Sequence, residues 1–328
     1  MTDIPDIAIQ VQNLAKRFGD VEAVAGVDFE VEQGEVFGFL GPNGAGKTTT
    51  INMLTGLARP DAGVIRIAGI DCTGRPRAAQ HLLGVVPDES NLYPELTGFE
   101  NLSFCAALYG LRRREREGRA RGLLAEFGLA EAAGRKFGGY SKGMKRKLAL
   151  AAGIIHEPRI LFLDEPTTGL DVASARQVRR LIADLHQTGT TIFLTTHYIE
   201  EAERLCGRIA FIVAGRIIRI DAVADLIQPE NESHVMILEL AEAGPAIPEK
   251  LGAAFPDLVF QPVSDRQIRV EASSPIRVGP LVRFLEDQGI EVLEARRSQP
   301  SLEDVFVRLT GIETEAMRKE KEKMGGGA

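Results

Sequence analysis

A run of nine residues has the composition of a phosphate-binding loop. It fits G-x-x-x-x-G-K-[ST] and consists of Gly41, Pro42, Asn43, Gly44, Ala45, Gly46, Lys47, Thr48 and Thr49. The glycines let the backbone turn its N–H groups toward phosphate oxygens, and the helix that follows directs its positive end at the same anion. Lys47 is placed to reach the β- and γ-phosphates, and the Thr48 hydroxyl is placed to bind Mg²⁺. The apolar run 36–40 before the loop and the helix-compatible run 50–57 after it supply the required strand and helix.

Two other apolar strands end in polar residues. Residues 160–163 lead into Asp164 and Glu165, and the strand 191–196 is followed by His197. Ligands of open α/β sheets bind at the carboxyl ends of the strands, so we expect these side chains beside the phosphates. Asp164 suits Mg²⁺ binding through water, and Glu165 suits polarising a water for attack on the γ-phosphorus. His197 suits a contact to the γ-phosphate.

Two segments allow more than one interpretation from their residues alone. Ser141 is well placed as a helix N-cap, and Gly143 exposes a backbone N–H near the positive helix end, which by itself describes only a capped helix. Phe18 follows the first predicted strand and is either a core aromatic or a ring that stacks on a purine.

The composition of the whole chain excludes several classes of protein. At 328 residues, with 26% charged and 44% hydrophobic residues, the chain predicts two ordinary globular domains. No apolar run approaches the ~18 residues that cross a bilayer, and the first residues lack a basic region followed by an apolar one, so we expect neither secretion nor a membrane span. A net charge of −7 disfavours a general nucleic-acid binder. The cysteines, Cys72, Cys105 and Cys206, lack metal-ligand spacing.

The elements that position these residues form a mixed α/β domain followed by a smaller one. We predict a first domain over 1–222 with a helical insertion at about 97–156, and a linker over 223–233. Residues 234–311 predict the order β-α-β-β-α-β, which is ferredoxin-like, in an α+β accessory domain. Its role is regulatory or dimer-supporting, or it is a structural extension. The charged tail 312–328 predicts a frayed helix or a disordered segment.

The motifs occur in the order found in one known family. Residues 7–222 resemble the nucleotide-binding domain of ABC ATPases, whose features correspond here to a Walker A motif at 41–48, a signature at 140–145, a Walker B motif at 160–165, a D-loop ending in Asp171 and a switch histidine at 197. Within that family the chain is most similar to the separately encoded ATPase subunits of ABC-2-type exporters. The resemblance implies a P-loop NTPase fold, ATP and Mg²⁺ as cofactors, and hydrolysis of ATP to ADP and phosphate.

The resemblance also implies partners. Two copies would pair head to tail, with each nucleotide between Walker A of one copy and Ser141, Lys142 and Gly143 of the other. A separate polytopic membrane permease would bind the chain at the inner face of the cell membrane, for which the helical insertion is the expected contact. The alternative is a soluble ABC ATPase that acts on nucleic acid or ribosomes, but such proteins typically carry two ATPase domains or long coiled-coil insertions. A binding-only regulator is opposed by the intact Asp164, Glu165 and His197.

The sequence departs from the family pattern at two places. Asp88 stands where the family usually has Gln, and its carboxylate is able to bind Mg²⁺ but repels the γ-phosphate. The signature reads Tyr-Ser-Lys-Gly-Met instead of Leu-Ser-Gly-Gly-Gln. Lys142 adds a positive charge that favours phosphate, whereas Met144 supplies no amide.

Overall fold

The computed structural model describes residues 7–227, 234–241, 247–298 and 301–312. The chain divides into two compact units, one made of Met1–Val223 with Phe306–Ala328 and the other of Ala224–Val305. No helix among the described residues has both the length and the apolar character needed to span a membrane. Part of the predicted linker, 228–233, and nearly all of the predicted tail, from 313 onward, lie outside the described residues.

The first unit contains two sheets and the helices around them. Its strands are β1 (Ile7–Phe18), β2 (Val21–Glu32), β3 (Val36–Leu40), β4 (Ala62–Ile67), β5 (Ile70–Asp71), β6 (Leu83–Val86), β7 (Ile160–Asp164), β8 (Thr191–Thr196), β9 (Arg208–Val213) and β10 (Arg216–Ala222). Its helices are α1 (Lys47–Leu54), α2 (Gly98–Leu108), α3 (Arg113–Glu126), α4 (Lys142–Ile154), α5 (Val172–Gln187) and α6 (Ile199–Leu205). A short helix, α7 (Val223–Leu226), occupies the start of the predicted linker.

The sheet that carries the candidate site is mostly parallel, with the strand order β10-β9-β3-β8-β7-β6. Every residue of β3, β7 and β8 is buried, because a parallel sheet is covered on both faces. In the register of the sheet, Leu40 pairs with Thr196 and Asp164 pairs with Thr195. The carboxyl ends of β3, β8 and β7 therefore meet at one edge.

An aromatic cluster lies between this sheet and the antiparallel sheet, whose order is β2-β1-β4-β5. The Phe29 ring on β2 contacts Phe37 and Phe39 on β3 and Phe193 on β8, with ring centroids 5.5–5.9 Å apart. Phe162 on β7 joins the cluster through Phe193. Tilted and stacked rings at these distances add about 0.5–1.5 kcal/mol per pair beyond their burial. This core supports the strands just behind their functional ends.

The segment between β6 and β7 is helical, as expected for the insertion. Helix α2 begins with a capping box in which Thr97 Oγ1 accepts from the Glu100 N–H (3.1 Å) and Glu100 Oε2 accepts from the Thr97 N–H (2.8 Å). Helix α3 begins at Arg113, within the arginine-rich segment 112–116. Helix α4 then leads back into the parallel sheet at β7.

The second unit forms its own antiparallel sheet. Its elements follow the predicted β-α-β-β-α-β order: β11 (His234–Leu240), α8 (Ile247–Ala254), β12 (Val259–Pro262), β13 (Gln267–Ala272), α9 (Val278–Asp287) and β14 (Val292–Ser298). The strand order β12-β13-β11-β14 places both helices over one core, in which Leu238, Val270 and Leu281 are buried. A last helix, α10 (Leu302–Thr310), is capped by Ser301 and crosses the boundary between the units along the chain.

Candidate functional site

The phosphate loop connects β3 to α1 through a backbone that only glycine tolerates at several points. Gly46 is the N-cap of α1 with φ +102°, and no side chain caps this helix end. A Cβ at Gly46 would lie 2.3 Å from the Ala23 carbonyl oxygen, and one at Gly41 would lie 2.1 Å from the Ile212 carbonyl oxygen. The result is a tight turn that presents the uncapped, positive end of α1, the arrangement that binds phosphate.

Lys47 lies buried within the mouth of this loop. Its Nζ donates hydrogen bonds to the carbonyl oxygens of Gly41 (2.9 Å) and Pro42 (3.1 Å) and lies 3.2 Å from Glu165 Oε1. The ammonium group of the phosphate loop is thus in direct contact with the acid that follows β7. The two motifs are separated by more than a hundred residues in the sequence, and the parallel sheet brings them together.

Glu165 is the centre of the charge cluster and occupies an unusual backbone conformation. Its φ is +49°, rare for a residue with a side chain, and its N–H donates to the carbonyl oxygen of Thr195. Its Oε2 accepts from Thr168 Oγ1 (3.0 Å) and lies 2.7 Å from His197 Nδ1. Burial alone would raise the pKa of Glu165, but the His197 hydrogen bond and the Lys47 charge outweigh it and lower the pKa to about 2. The carboxylate is therefore ionised at neutral pH.

Asp164, the last residue of β7, faces the neighbouring strand. It is 4% exposed, and its Oδ1 accepts a hydrogen bond from Thr195 Oγ1 on β8. Thr48 is exposed at the start of α1. Hydroxyl and carboxylate oxygens are the ligands that Mg²⁺ prefers, so this donor set fits the ion. Among the described residues no group of three or more His, Cys, Asp or Glu side chains could hold a metal.

The predicted signature and D-loop residues form a second cluster. Ser141 N-caps α4 and accepts from the Met144 N–H (3.3 Å), and Asp171 N-caps α5 by accepting from the Ser174 N–H (2.9 Å). Ser174 Oγ hydrogen bonds to Asp171 Oδ2, and these bonds lower the pKa of that carboxyl. A Cβ at Gly143 would lie 2.5 Å from Ser174 Oγ, so the two helix ends adjoin. Within the described part of the chain, the hydrogen bonds of Ser141 and Asp171 stay within their own helix ends and do not reach the phosphate loop.

Two predicted residues lie apart from the charge cluster. Phe18 ends β1 and is 55% exposed, which excludes the core alternative, while Lys16 Nζ lies 5.3 Å from its ring centroid. Stacking on a purine stays a prediction. Asp88 follows β6, and its carbonyl oxygen accepts from Arg146 Nη1 (3.2 Å).

Several residues of the site were not predicted from the sequence. Arg146 is buried and contacts the backbone after both β6 and β7. Glu201 on α6 is also buried and accepts from Thr167 Oγ1 and Thr196 Oγ1, both at 2.7 Å, and burial raises its pKa. Arg146 stands within a basic run and Glu201 within an acidic one, and in the sequence both runs are typical of solvated helix faces.

These features define the class of protein. A glycine loop between a parallel strand and a helix, with a lysine paired to an acid at the end of another strand of the same sheet, is the site of a P-loop nucleoside triphosphatase. The predicted α/β fold is confirmed.

Comparisons with known proteins narrow this class to one family. Residues 24–168 match the ABC transporter family. The chain is 40% identical over 311 residues to the daunorubicin resistance ATP-binding protein DrrA3 of Streptomyces coeruleorubidus, covering 93% of this chain and 96% of that protein. It is 36% identical to the linearmycin resistance ATP-binding protein LnrL of Bacillus subtilis (strain 168), covering 92% and 98%. It is 37% identical to the Nod factor export ATP-binding protein I of Rhizobium etli, covering 94% and 95%.

Solved structures agree with this assignment. An ATP-binding subunit of an ABC transporter superposes with a TM-score of 0.61 at 32% identity, covering 67% of this chain and 91% of that one. A dimeric bacterial ABC transporter cassette superposes with the same TM-score at 27% identity, covering 66% and 98%. The chain belongs to the ATP-binding subunits of ABC transporters, in the ABC-2-type exporter group, and is an ATPase. These comparisons give no support to the nucleic-acid alternative.

Proposed function

We propose that this ATPase subunit couples Mg-ATP-driven dimerisation and hydrolysis to export through a separate membrane subunit. The observation that carries the proposal is the contact of Lys47 with Glu165 and of Glu165 with His197 at the mouth of the phosphate loop. This contact places a phosphate-binding cation, a carboxylate base and a hydrogen-bonding imidazole within one small volume at the carboxyl edge of the sheet.

Each residue has a distinct role in the proposed reaction. Lys47 and the backbone N–H groups at the start of α1 hold the phosphates, and Thr48 and Asp164 hold Mg²⁺, which when bound neutralises phosphate charge. Glu165 accepts a proton from the water that attacks the γ-phosphorus, and the bond to the leaving ADP oxygen breaks. When Lys47 turns to the phosphates, one charge that lowers the pKa of Glu165 is withdrawn, so Glu165 becomes a stronger base.

A second copy of the chain completes the proposed site. Ser141, Gly143 and Asp171 cluster at two adjoining helix ends, and in the described part of the chain their hydrogen bonds do not reach the phosphate loop of their own subunit. In a head-to-tail dimer the N-terminus of α4 would face the γ-phosphate bound by the other copy and would stabilise it as an anion. His197 would contact the same phosphate through Nε2, because Nδ1 is bonded to Glu165. ATP then links the copies, and its hydrolysis releases them.

An exposed apolar patch in the helical segment supports a membrane partner. It consists of Tyr93, Phe104, Leu108 and Tyr109, which are 50%, 39%, 71% and 43% exposed. The Tyr93 and Phe104 rings contact edge to face with centroids 5.3 Å apart, and Leu108 lies one turn beyond Phe104 on α2. Exposed aromatic groups of this kind mark protein contact sites. We propose that this patch binds a cytoplasmic segment of the permease and that the subunit works at the inner face of the membrane.

The proposal is tested by affinity purification of tagged protein from mildly solubilised native membranes. We expect a polytopic membrane protein in stoichiometric amount that stimulates Mg-ATP hydrolysis. The variant Leu108→Ser should reduce its recovery, whereas Val259→Ser, which changes an equally apolar exposed residue in the second unit, should not. Recovery with ribosomes or nucleic acid, and no membrane protein, would reject the proposed coupling.

A further inference from the structure

One buried arginine holds together three parts of the candidate site. Arg146 on α4 is 7% exposed, and among the described residues its guanidinium donates only to backbone carbonyl oxygens. Nε donates to Pro166 (2.8 Å) and Nη2 to Asp164 (2.7 Å). Nη1 donates to Pro87 and to Asp88 (3.2 Å). The four acceptors are the last residue of β7 and residues of the turns that follow β6 and β7.

The joined segments have separate tasks in the proposed function. The turn after β7 carries Asp164 and Glu165, and the turn after β6 carries Asp88 and leads toward the apolar patch. Helix α4 carries Ser141 and the rest of the signature at its N-terminus. Arg146 lies little more than one helical turn from Ser141, so any shift of α4 is transmitted to both turns through its side chain.

The geometry requires an arginine rather than another cation. A guanidinium offers five N–H donors in a rigid planar fork, and it stays charged even when buried. Carbonyl oxygens on two neighbouring strand ends are spaced so that separate nitrogens of Arg146 reach them. A lysine ammonium donates from one point and could not reach both turns together.

We propose that Arg146 is a positioning residue for ATP hydrolysis, holding the turn at Asp88 and the turn at Asp164–Glu165 in fixed relation to the signature helix. The turn after β6 then contributes to the reaction through the backbone carbonyl of Asp88, which Arg146 holds, and not only through the Asp88 carboxylate. The inference rests on the proposed hydrolytic roles of Asp164 and Glu165. Within the described residues the hydrogen bonds of Arg146 go to the ends of β6 and β7 and not to the phosphate loop, so its loss should affect turnover and leave ATP binding intact.

The test compares Arg146→Lys and Arg146→Gln with wild type and with Lys147→Gln, a control at the next position of α4. The kcat and KM of Mg-ATP hydrolysis, the Kd of a fluorescent ATP analogue and the melting temperature are measured for each protein. Misplacement of a catalytic group by about 1 Å costs about 100-fold in rate, so we expect kcat of both Arg146 variants to fall by about that factor. KM and Kd should stay within about threefold of wild type, and Lys147→Gln should match wild type.

Truncating the side chain in Arg146→Ala distinguishes the loss of the guanidinium from a general disturbance of the fold. In Arg146→Ala, ethylguanidinium at non-denaturing concentration should restore part of kcat, whereas ethylammonium should not, because only the former provides the planar donor fork.

Three results would overturn the inference: wild-type kcat in Arg146→Lys, a parallel loss of kcat, nucleotide affinity and melting temperature, or failure of every Arg146 variant to fold. The last two would make the residue merely structural. Failure of the proposed function is a different result, because the wild-type protein itself would then lack Mg-ATP hydrolysis.

Discussion

Replacing Glu165 with glutamine removes the negative charge at the centre of the Lys47–Glu165–His197 cluster while keeping the size of the side chain. In the free subunit this carboxylate is the partner of a buried ammonium group 3.2 Å away. The substitution therefore affects two properties: the stability of the nucleotide-free protein and the turnover of ATP. The first has a magnitude that follows from the pKa of Glu165.

The pKa of Glu165 lies at about 2 in the folded protein against an ordinary value of 4.5. The burial that would raise the pKa is outweighed by the His197 hydrogen bond and the Lys47 charge. The ionised form is thus favoured by folding, which contributes about 3 kcal/mol to the free energy of unfolding at neutral pH. Because the folded pKa is lowered, this contribution is present above about pH 4.5 and is lost as the pH falls toward 2. About 1 kcal/mol of it is gone by pH 4 and about 2 kcal/mol by pH 3.

Urea unfolding of nucleotide-free wild type and Glu165→Gln between pH 7 and pH 3 measures this term. We expect the variant to be less stable by up to about 3 kcal/mol at pH 7 and the difference to shrink as the pH falls. Glu203→Gln, which changes an exposed carboxyl on α6, is the matched control and should show little difference at any pH. Equal stability of wild type and Glu165→Gln at pH 7, or a difference independent of pH, would refute the assignment of the charge cluster.

The same variant tests the catalytic role of Glu165. With Mg-ATP it should bind nucleotide and accumulate as a dimer in size-exclusion chromatography, because the base that completes the reaction is missing. Hydrolysis at the wild-type rate in Glu165→Gln would show that another group activates the water.

Four further substitutions probe single contacts. Lys47→Ala should weaken ATP binding about 10- to 100-fold in a fluorescence titration, since a charge-assisted phosphate contact contributes about 1.5–3 kcal/mol; unchanged affinity would exclude its role in the phosphate loop. Phe18→Leu should weaken ATP binding several-fold through lost stacking and leave the melting temperature unchanged, because the ring is exposed; a large loss of stability would instead indicate a structural role. Gly41→Ala should lower the melting temperature, because its Cβ would meet the Ile212 backbone oxygen at 2.1 Å; wild-type stability would contradict that geometry. Burial raises the pKa of Glu201, so its contribution to stability is present below about pH 4.5 and is lost as the pH rises through the pKa of the folded protein; in urea unfolding Glu201→Gln should therefore gain stability relative to wild type as the pH rises above about 4.5. A gain that grew as the pH fell would contradict the direction of this shift.

Much of the candidate site could be predicted from the sequence because its parts are local or obey a simple rule of sheets. The phosphate loop is one contiguous segment whose glycines and lysine suffice to identify it. The acids after β7 and the histidine after β8 were predicted to meet at one edge, because parallel strands bring their carboxyl ends together.

Other features were decided only by the tertiary structure. They are contacts between residues that lie far apart in the sequence and whose types are common, so no local pattern marks them. Nothing in the sequence near Lys47 indicates a contact with Glu165, and nothing in the run around Arg146 distinguishes a buried guanidinium from a solvated one. The exposure of Phe18 likewise depends on where β1 ends relative to its neighbours. The sequence by itself predicted which groups would do chemistry and at which edge of the sheet they would lie. The packing of the strand ends and of helix α4 decided which of them touch and with what charge, because desolvation and ion pairing shift a charge strongly only at short range.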